Sequence, residues 1–165
     1  MNIKSKRVRM GEKEPEFVIA WADETAIDQD IAIVQKDIRA IQLAKGAMYS
    51  GARIMMNRLG ISKVDRVILA GAFGSYIDKT SAAIIGLFPD CGQKLVYAVG
   101  NAAGDGARMA LLNVDKRDEA DYWAKRVEYV ELTLEPNFNS IFTKALTFPH
   151  AEDKFPHLAS LLPKM

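Results

Sequence analysis

An apolar run that ends in two glycines decides the fold of this chain: Arg66-Val67-Ile68-Leu69-Ala70-Gly71-Ala72-Phe73-Gly74-Ser75. Its β-branched and leucine residues predict a buried strand over 66–70. A second run, Leu95-Val96-Tyr97-Ala98-Val99, ends in the same way at Gly100-Asn101. Two strands that each lead through glycines into a helix indicate an open α/β sheet, in which ligands collect beyond the carboxyl ends of the strands.

The residues before this run predict three short strands, over 7–10, 17–22 and 31–34. The middle strand is apolar on both faces, which predicts that both faces are covered. A helix is predicted over 36–59, because Gly60 follows as a C-cap and apolar residues recur at steps of three and four. The residues of that stripe are Ile38, Ile41, Lys45, Met48, Ala52, Met55 and Leu59.

Lys45 is the anomaly of the stripe, because burying an ammonium group without a partner is costly. Two interpretations are open. Its methylene stem packs while its charge reaches water, or it points into a site and meets an anion or the polar edge of a ligand.

The C-terminal part is predicted to contain four helices, a strand and a tail. Asp78 is expected to cap a short helix that reaches Gly86. A helix with a small-residue face follows Asn101, and a charged helix spans 115–126. An alternating pattern predicts a strand over 127–134, and Pro136 is expected at the first position of the last helix. The chain from Thr147 onward, which we call the tail, carries two Phe-Pro-His triplets, at 148–150 and 155–157. These triplets are expected to anchor the tail.

This order of elements predicts an α/β fold of the ribonuclease H-like kind, the repeating half of actin-like ATPases. Three antiparallel strands joined to two parallel ones give one mixed five-stranded sheet with flanking helices. The strand over 66–70 is expected at its centre. A helix-strand-helix extension follows. We expect one such half-domain over 1–149 and a proline-interrupted tail over 150–165.

Composition excludes several classes. The chain has 165 residues, of which 49% are hydrophobic and 26% charged, so it is neither disordered nor of low complexity. Its net charge of +1 indicates no bulk attraction to nucleic acid or to an anionic membrane. No segment reaches the roughly 18 apolar residues of a membrane span. Cys91 is the single cysteine, so this chain cannot hold an iron–sulfur cluster alone, and a lone thiol fits a reducing cytoplasm.

The two strand–glycine junctions are the candidate pocket, since glycine lets a backbone approach a ligand closely. They match neither G-x-G-x-x-G, nor a Walker loop, nor a G-x-S-x-G elbow. Asp78, Asp90 and Asp105 follow strands and could act as a base or bind magnesium, although helix-cap and turn roles are more typical. The histidines and acids of the tail match no metal-ligand spacing. We therefore assign no catalytic residue and no metal site.

Three linked motifs carry a resemblance to the reductive activators of corrinoid proteins. The first is Gln35-Lys36-Asp37-Ile38-Arg39 with Gln42-Leu43-Ala44-Lys45-Gly46-Ala47, which resembles a helix of that family. The second is the glycine loop Leu69 to Asp78, and the third is Val99-Gly100-Asn101-Ala102-Ala103-Gly104-Asp105-Gly106-Ala107, followed by Val130-Glu131-Leu132. The match covers residues 15–149.

The resemblance implies a fold shared with actin, heat-shock chaperones and sugar kinases, with ATP and Mg²⁺ bound between two halves in the full-length protein. It implies that hydrolysis is coupled to the reduction of Co(II) corrinoid to Co(I). Family members carry an iron–sulfur portion, which is expected outside this chain, as is the N-terminal half of the ATPase domain. A corrinoid protein is the implied partner. A homodimer stays open, and neither nucleic acid nor a membrane is expected as a partner.

The loop that contacts adenosine in this family resembles, position by position, Gly71, Ala72, Phe73 and Gly74. Gln42 and Lys45 resemble residues that reach the ribose or the adenine, and Gly100 and Asn101 would flank the base. Half a site cannot position and neutralise a γ-phosphate, so we expect this chain alone to be inactive, with Lys45 and the glycine loop open to solvent.

Two alternatives stay open. One is half of a sugar-kinase-like phosphotransferase, which requires a carboxylate base facing a γ-phosphate. The other is a non-catalytic docking or dimerisation module with a vestigial pocket, whose melting point nucleotide would leave unchanged.

Overall fold

The computed structural model describes residues 5–162. They fall into two compact units, the first ending at Ala44 and the second beginning at Lys45. The elements follow one another as β1 (Val8–Met10), β2 (Pro15–Ala20), β3 (Ile31–Val34), α1 (Gln35–Arg58), β4 (Val67–Leu69), α2 (Gly71–Tyr76), α3 (Lys79–Ile84), β5 (Val96–Ala98), α4 (Ala102–Leu112), α5 (Val114–Ala124) and α6 (Phe138–Ala145). No helix in the described range is long and apolar enough to cross a membrane.

The first unit is an antiparallel sheet in the order β1-β2-β3, as the three short strands predict. The pairing of β2 with β3 shifts register between Val18 and Ala20. Arg7 stabilises this irregularity, because its Nη1 donates to the carbonyl oxygens of Val18 at 3.1 Å and Ile19 at 2.6 Å. A side chain thus satisfies carbonyl groups beside the register shift.

The prediction that both faces of the second strand are covered is wrong. Val18 is buried, but Phe17 is 40% exposed and Ile19 51% exposed. Since successive side chains of a strand point to opposite faces, only the face that carries Val18 is covered.

Helix α1 confirms the longest predicted helix, and Gly60 follows it with φ of +66°. The predicted apolar stripe is wrong at four of its seven positions, because Ile41, Met48, Met55 and Leu59 are 43%, 51%, 38% and 72% exposed. The residues that are buried instead are Lys45, Gly46, Tyr49, Ser50, Ile54 and Met56.

Close packing explains this choice of face. A Cβ on Gly46 would lie 3.1 Å from Cδ2 of Leu146 and 3.3 Å from Cε2 of Phe142. Small residues on α1 therefore let α6 and the chain after it approach closely, and the helix turns this side inward rather than the side that carries Met48 and Met55. On α6 the apolar face, which includes Phe142 and Ala145, is buried or half-buried.

The second unit holds the main core. It is built around α3, the segment that follows it, the start of β5 and the tail. Its buried members are Tyr49, Ala82, Ala83, Leu87, Phe88, Cys91, Val96, Ala145, Phe155 and Leu158. Cys91 is thus a buried apolar residue, and burial raises the pKa of its thiol. The second Phe-Pro-His triplet supplies Phe155 to this core.

The predicted single mixed sheet is not what the described residues form. Five strands are present, but they form two sheets, the antiparallel sheet of the first unit and a parallel pair of β4 with β5 in the second. The strand over 66–70 pairs with β5 alone and is not central. The parallel strands have three residues each and so offer few ladder hydrogen bonds to further neighbours.

The strand predicted over 127–134 is also wrong. Within residues 5–162 no strand pairs with this segment, and it ends in a 3₁₀ turn at Leu132–Leu134 that Glu131 caps. An alternating pattern makes a strand only where a neighbour accepts its backbone hydrogen bonds. The extension is therefore helix, 3₁₀ turn, helix. Its last helix begins at Phe138 after Asn137 at the N-cap, so Pro136 precedes the cap rather than occupying the first helical position.

Helices α4 and α5 contain no buried residue. The small-residue face predicted for α4 therefore contacts no core among the described residues, although the bounds of α5 agree with the predicted charged helix.

Candidate functional site

Parallel pairing of β4 with β5 brings the two strand–glycine junctions together. Beyond the ladder, the amide of Val99 donates to the carbonyl oxygen of Leu69 at 3.0 Å. One step further, the amide of Gly71 donates to the carbonyl oxygen of Gly100 at 2.7 Å. Two junctions that lie about thirty residues apart in sequence thus form one joined edge at the carboxyl ends of the strands.

Gly71 and Gly100 share a geometry that suits a ligand-facing backbone. Their φ angles are +90° and +69°, in the left-handed region that favours glycine. A Cβ built at either position would meet no atom within 4 Å. The space in front of this edge is therefore open, and backbone conformation rather than crowding accounts for both glycines.

Gly74 has a different role. A Cβ there would lie 2.9 Å from Cβ of Leu69 and 3.0 Å from its carbonyl carbon. The absence of a side chain lets α2 fold back against the end of β4. This glycine supports the loop from behind and does not need to contact a ligand itself.

The other predicted loop residues flank the open edge. Phe73 is 67% exposed on the first turn of α2, so the face of its ring is available for stacking. Ala72 is also exposed. Asn101 caps α4, because its Oδ1 accepts from the amide of Gly104 at 3.0 Å.

Lys45 does not lie open to solvent, so that prediction is wrong. The residue is 1% exposed, and its Nζ donates to the carbonyl oxygens of Thr147 at 2.8 Å and Pro149 at 2.7 Å. The rings of Tyr49 and Phe148 lie 5.8 Å and 5.7 Å from the nitrogen. The polar edge that Lys45 meets is therefore the tail of its own chain, and burial lowers the pKa of the amine to about 8.

Gln42 precedes Lys45 by one helical turn and is half-buried in the first unit. Its role toward a nucleotide stays a prediction.

The candidate carboxylates have structural partners. Asp78 caps α3 by accepting from the amide of Ser81 at 2.7 Å, and this hydrogen bond lowers the pKa of Asp78. Asp105 lies 3.3 Å from Arg108 in the first turn of α4. Asp90 faces His157, with 2.9 Å between Oδ2 and Nδ1. The described residues contain no group of three His, Cys, Asp or Glu side chains that could hold a metal ion.

Sequence reasoning missed the polar network that holds the tail. The hydroxyl of Tyr49 donates to Asp153 at 2.6 Å, and Lys144 pairs with Glu152 at 2.9 Å. Nδ1 of His150 accepts from the amides of Glu152 and Asp153. Two signals in the sequence pointed to this network: Lys45 on an apolar stripe, and the Phe-Pro-His triplets at 148–150 and 155–157. They lie about a hundred residues apart, and no local pattern shows that they are in contact.

Comparison with known proteins places this architecture in a family. A family model described as the C-terminal domain of RACo, the ASKHA domain, matches residues 1–159. The corrinoid activation enzyme RamQ of Eubacterium limosum is 39% identical over 124 residues, which are 74% of this chain and 21% of that protein. The solved structure of a reductive activator for corrinoid,iron-sulfur protein superposes with a TM-score of 0.79 at 38% identity.

That superposition covers 89% of this chain and 24% of the other. The chain thus spans about a fifth to a quarter of the length of these relatives. The α/β fold is that of the actin-like ASKHA proteins, and the resemblance to corrinoid activators is confirmed. The chain belongs to the family of C-terminal ASKHA domains of the reductive activators of corrinoid proteins.

Proposed function

We propose that this chain is the nucleotide-contacting part of an ATP-dependent activator that supports the reduction of Co(II) corrinoid to Co(I) in a methyltransferase corrinoid protein. The observation that carries the proposal is the hydrogen bond from the amide of Gly71 to the carbonyl oxygen of Gly100. It joins two positive-φ glycines with open space before them into one edge at the carboxyl ends of parallel strands, where α/β sheets bind ligands.

The residues at this edge suit an adenosine group. Backbone at Gly71 and Gly100 can approach the ligand without a side chain between them, and the exposed ring of Phe73 offers a surface on which a base can stack. Ala72 belongs to the loop that would contact adenosine, and Asn101 would flank the base together with Gly100. Lys45, which is bonded to Thr147 and Pro149, would act by holding the tail and α1 in place.

The residues of this chain do not fit the other groups that the activity requires. The single, buried Cys91 cannot hold an iron–sulfur cluster, and no acidic group is gathered for Mg²⁺ among the described residues. We therefore assign the cluster, the metal and the phosphate-binding loops to the remaining part of a longer protein, comparable in length to the relatives. The partner would be a corrinoid protein in a reducing compartment such as the cytoplasm.

We further infer that the two sheets correspond, in strand order, to the antiparallel and parallel parts of a ribonuclease H-like half-domain. The order β-β-β-α-β-α-α-β-α, from β1 to α4, supports this assignment.

The test is a titration of a fluorescent ADP analogue into the full-length protein, prepared as wild type, Gly71→Val and Gly60→Val. Gly60 is a matched control, because it also has positive φ and open space at Cβ but lies at the end of α1. Both variants carry a similar strain from a β-branched residue in the left-handed region. We expect Gly71→Val to weaken binding at least about tenfold, which is 1.4 kcal/mol, and Gly60→Val to bind as wild type does.

Equal binding by wild type and Gly71→Val would remove this edge from the nucleotide site. If nucleotide does not shift the melting point of the full-length protein while a corrinoid protein still binds, the docking-module alternative is favoured. Stabilisation by a sugar or acid substrate would favour the phosphotransferase alternative.

A further inference from the structure

A second cleft lies in the second unit, between the C-terminal half of α1, the start of α6 and the tail. Its volume is about 280 Å³, and we call it the tail cleft. Most of its lining is polar. Its polar side chains include Arg53, Asn57, Asn137, Ser140, Lys144 and His150.

His150 is a buried donor in the wall of this cleft. Its side chain is 4% exposed, and its Nδ1 accepts from the amides of Glu152 at 3.2 Å and Asp153 at 2.8 Å. A nitrogen that accepts two amide hydrogens carries no proton, so Nε2 carries the hydrogen of the neutral ring. No acceptor for Nε2 occurs among the described residues, yet every fully buried side-chain nitrogen or oxygen there has a partner. Nε2 is therefore not fully buried, and its hydrogen is available to a ligand in the cleft that His150 lines.

The start of α6 adds further donors. Asn137 occupies the N-cap position, but its side chain makes no capping hydrogen bond and lines the cleft instead. Ser140, in the first turn of the same helix, lines it as well. The amide of Phe138 donates to the carbonyl oxygen of Glu135 at 3.0 Å, but no acceptor for the amides of Asn139 and Ser140 occurs among the described residues. Such free amides at a helix start favour a negative charge nearby.

Charge selects the kind of anion. Arg53 and Lys144 are opposed by Glu152 and Asp153, so the cleft is formally neutral. Lys144 pairs with Glu152 at 2.9 Å, and Asp153 accepts from the hydroxyl of Tyr49 at 2.6 Å. Nε of Arg53 is 3.9 Å from Oδ2 of Asp153, and no closer acceptor for its guanidinium occurs among the described residues. A single added negative charge therefore finds donors at Arg53, and it meets less repulsion from the two fixed carboxylates than a phosphate dianion does.

We infer that the tail cleft binds a small carboxylate. The carboxylate accepts from the guanidinium of Arg53 and from Nε2 of His150, with the start of α6 beside it. Asn57 and Ser140 contact the rest of the molecule. This site is separate from the glycine edge and does not depend on the proposed nucleotide binding.

The test follows the backbone amides of Glu152 and Asp153 by ¹H–¹⁵N NMR, because their hydrogen bonds to His150 report on the other nitrogen of the same ring. Sodium acetate and sodium glycolate, both monoanions, are titrated into the chain at constant ionic strength, with sodium chloride, inorganic phosphate and ADP as separate arms. We expect saturable shifts of these two amides with acetate or glycolate and none with the other three.

Arg53→Gln and His150→Asn should each weaken carboxylate binding at least about tenfold, the effect of losing a charge-assisted or buried hydrogen bond. Asparagine can still accept an amide hydrogen bond near the position of Nδ1, so the second variant is expected to fold. Arg66→Gln is the matched control, since Arg66 is exposed and lies outside the cleft. It should bind as wild type does.

Three results would overturn the inference. They are the absence of saturation by either carboxylate, wild-type binding by Arg53→Gln, and equal or tighter binding of phosphate. Shifts of the same amides with ADP would assign the cleft to a nucleotide instead. Thermal unfolding of each variant separates loss of the site from loss of the fold.

Discussion

Lys45 shows how a single residue can look functional in sequence and be structural in the fold. Its place on an apolar stripe marks it as unusual, and the structure supplies two main-chain acceptors a hundred residues away. A buried ammonium group is tolerated when its hydrogen bonds are satisfied, and here it ties α1 to the tail.

Replacing this lysine should destabilise the chain. In Lys45→Met the carbonyl groups of Thr147 and Pro149 lose their donor inside the protein, which costs about 1–3 kcal/mol. Urea unfolding of wild type and Lys45→Met measures the difference. Lys94→Met is the control, because Lys94 is exposed, and it should change stability little. A Lys45→Met variant as stable as wild type would mean that the hydrogen bonds of the amine do not contribute to the free energy of unfolding.

His150 should make the stability of the chain sensitive to acid. Burial is the main cause that lowers the pKa of its ring from 6.5, and a proton on Nδ1 would break the hydrogen bonds from Glu152 and Asp153. Because the folded-state pKa is the lower one, the unfolded chain binds more protons below about pH 6.5, and stability falls as the pH falls. Above that value this contribution is fully present.

The measurement compares the free energy of unfolding of wild type and His150→Asn at about pH 7.5 and 5.5. The difference between the two proteins should shrink toward the lower pH, since asparagine does not titrate. A difference that stays constant with pH would show that the ring does not need to be neutral in the folded state.

At the scale of elements, the tail is held by a glycine as well as by Lys45. Gly86 has φ of +71°, and a Cβ there would collide with the carbonyl oxygen of Pro149. Gly60 has a similar φ of +66° but open space around it. The two positions therefore separate backbone strain from crowding.

Alanine at each position tests this directly. Gly60→Ala should cost about 1 kcal/mol, from the left-handed backbone alone. Gly86→Ala should lower the free energy of unfolding by about 1–3 kcal/mol more than Gly60→Ala does, because the tail must move away from the segment after α3. Thermal unfolding of the two variants measures the difference, and equal losses would mean that the tail adapts without cost.

At the scale of the whole molecule, the open glycine edge offers contacts for the adenosine group of a nucleotide. It offers no group that would take part in chemistry at the phosphates. Phosphoryl transfer depends on positioning and on neutralising charge at the γ-phosphate. The described residues gather no metal site. Each candidate carboxylate already has a structural partner: Asp78 caps α3, Asp90 pairs with His157 and Asp105 pairs with Arg108.

We therefore expect this chain alone neither to hydrolyse ATP at a useful rate nor to reduce a corrinoid. Its affinity for ADP should lie near the millimolar end, about −4 kcal/mol. Calorimetry with ADP and a steady-state phosphate-release assay check both expectations. Robust turnover by the pure chain would place a complete active site within it and would favour the phosphotransferase alternative.

Local patterns in the sequence were sufficient for most helices and for the strands that pair. The C-cap glycine after α1, Asp78 before α3 and the two strand–glycine junctions could be predicted because each depends on neighbours a few residues away. The family resemblance rested on the same local motifs. The alternating segment over 127–134 misled for the same reason, since an alternation carries no information about whether a strand will pair.

Contacts between distant residues decided the rest. Which face of α1 is buried depends on how closely Phe142 and Leu146 can approach Gly46, and the partners of Lys45 depend on where the tail returns. The pairing of Gly71 with Gly100 required the parallel register of β4 and β5. Periodicity records the hydrophobicity of each residue, but burial follows from shape complementarity and hydrogen-bond partners that exist only after the chain has folded.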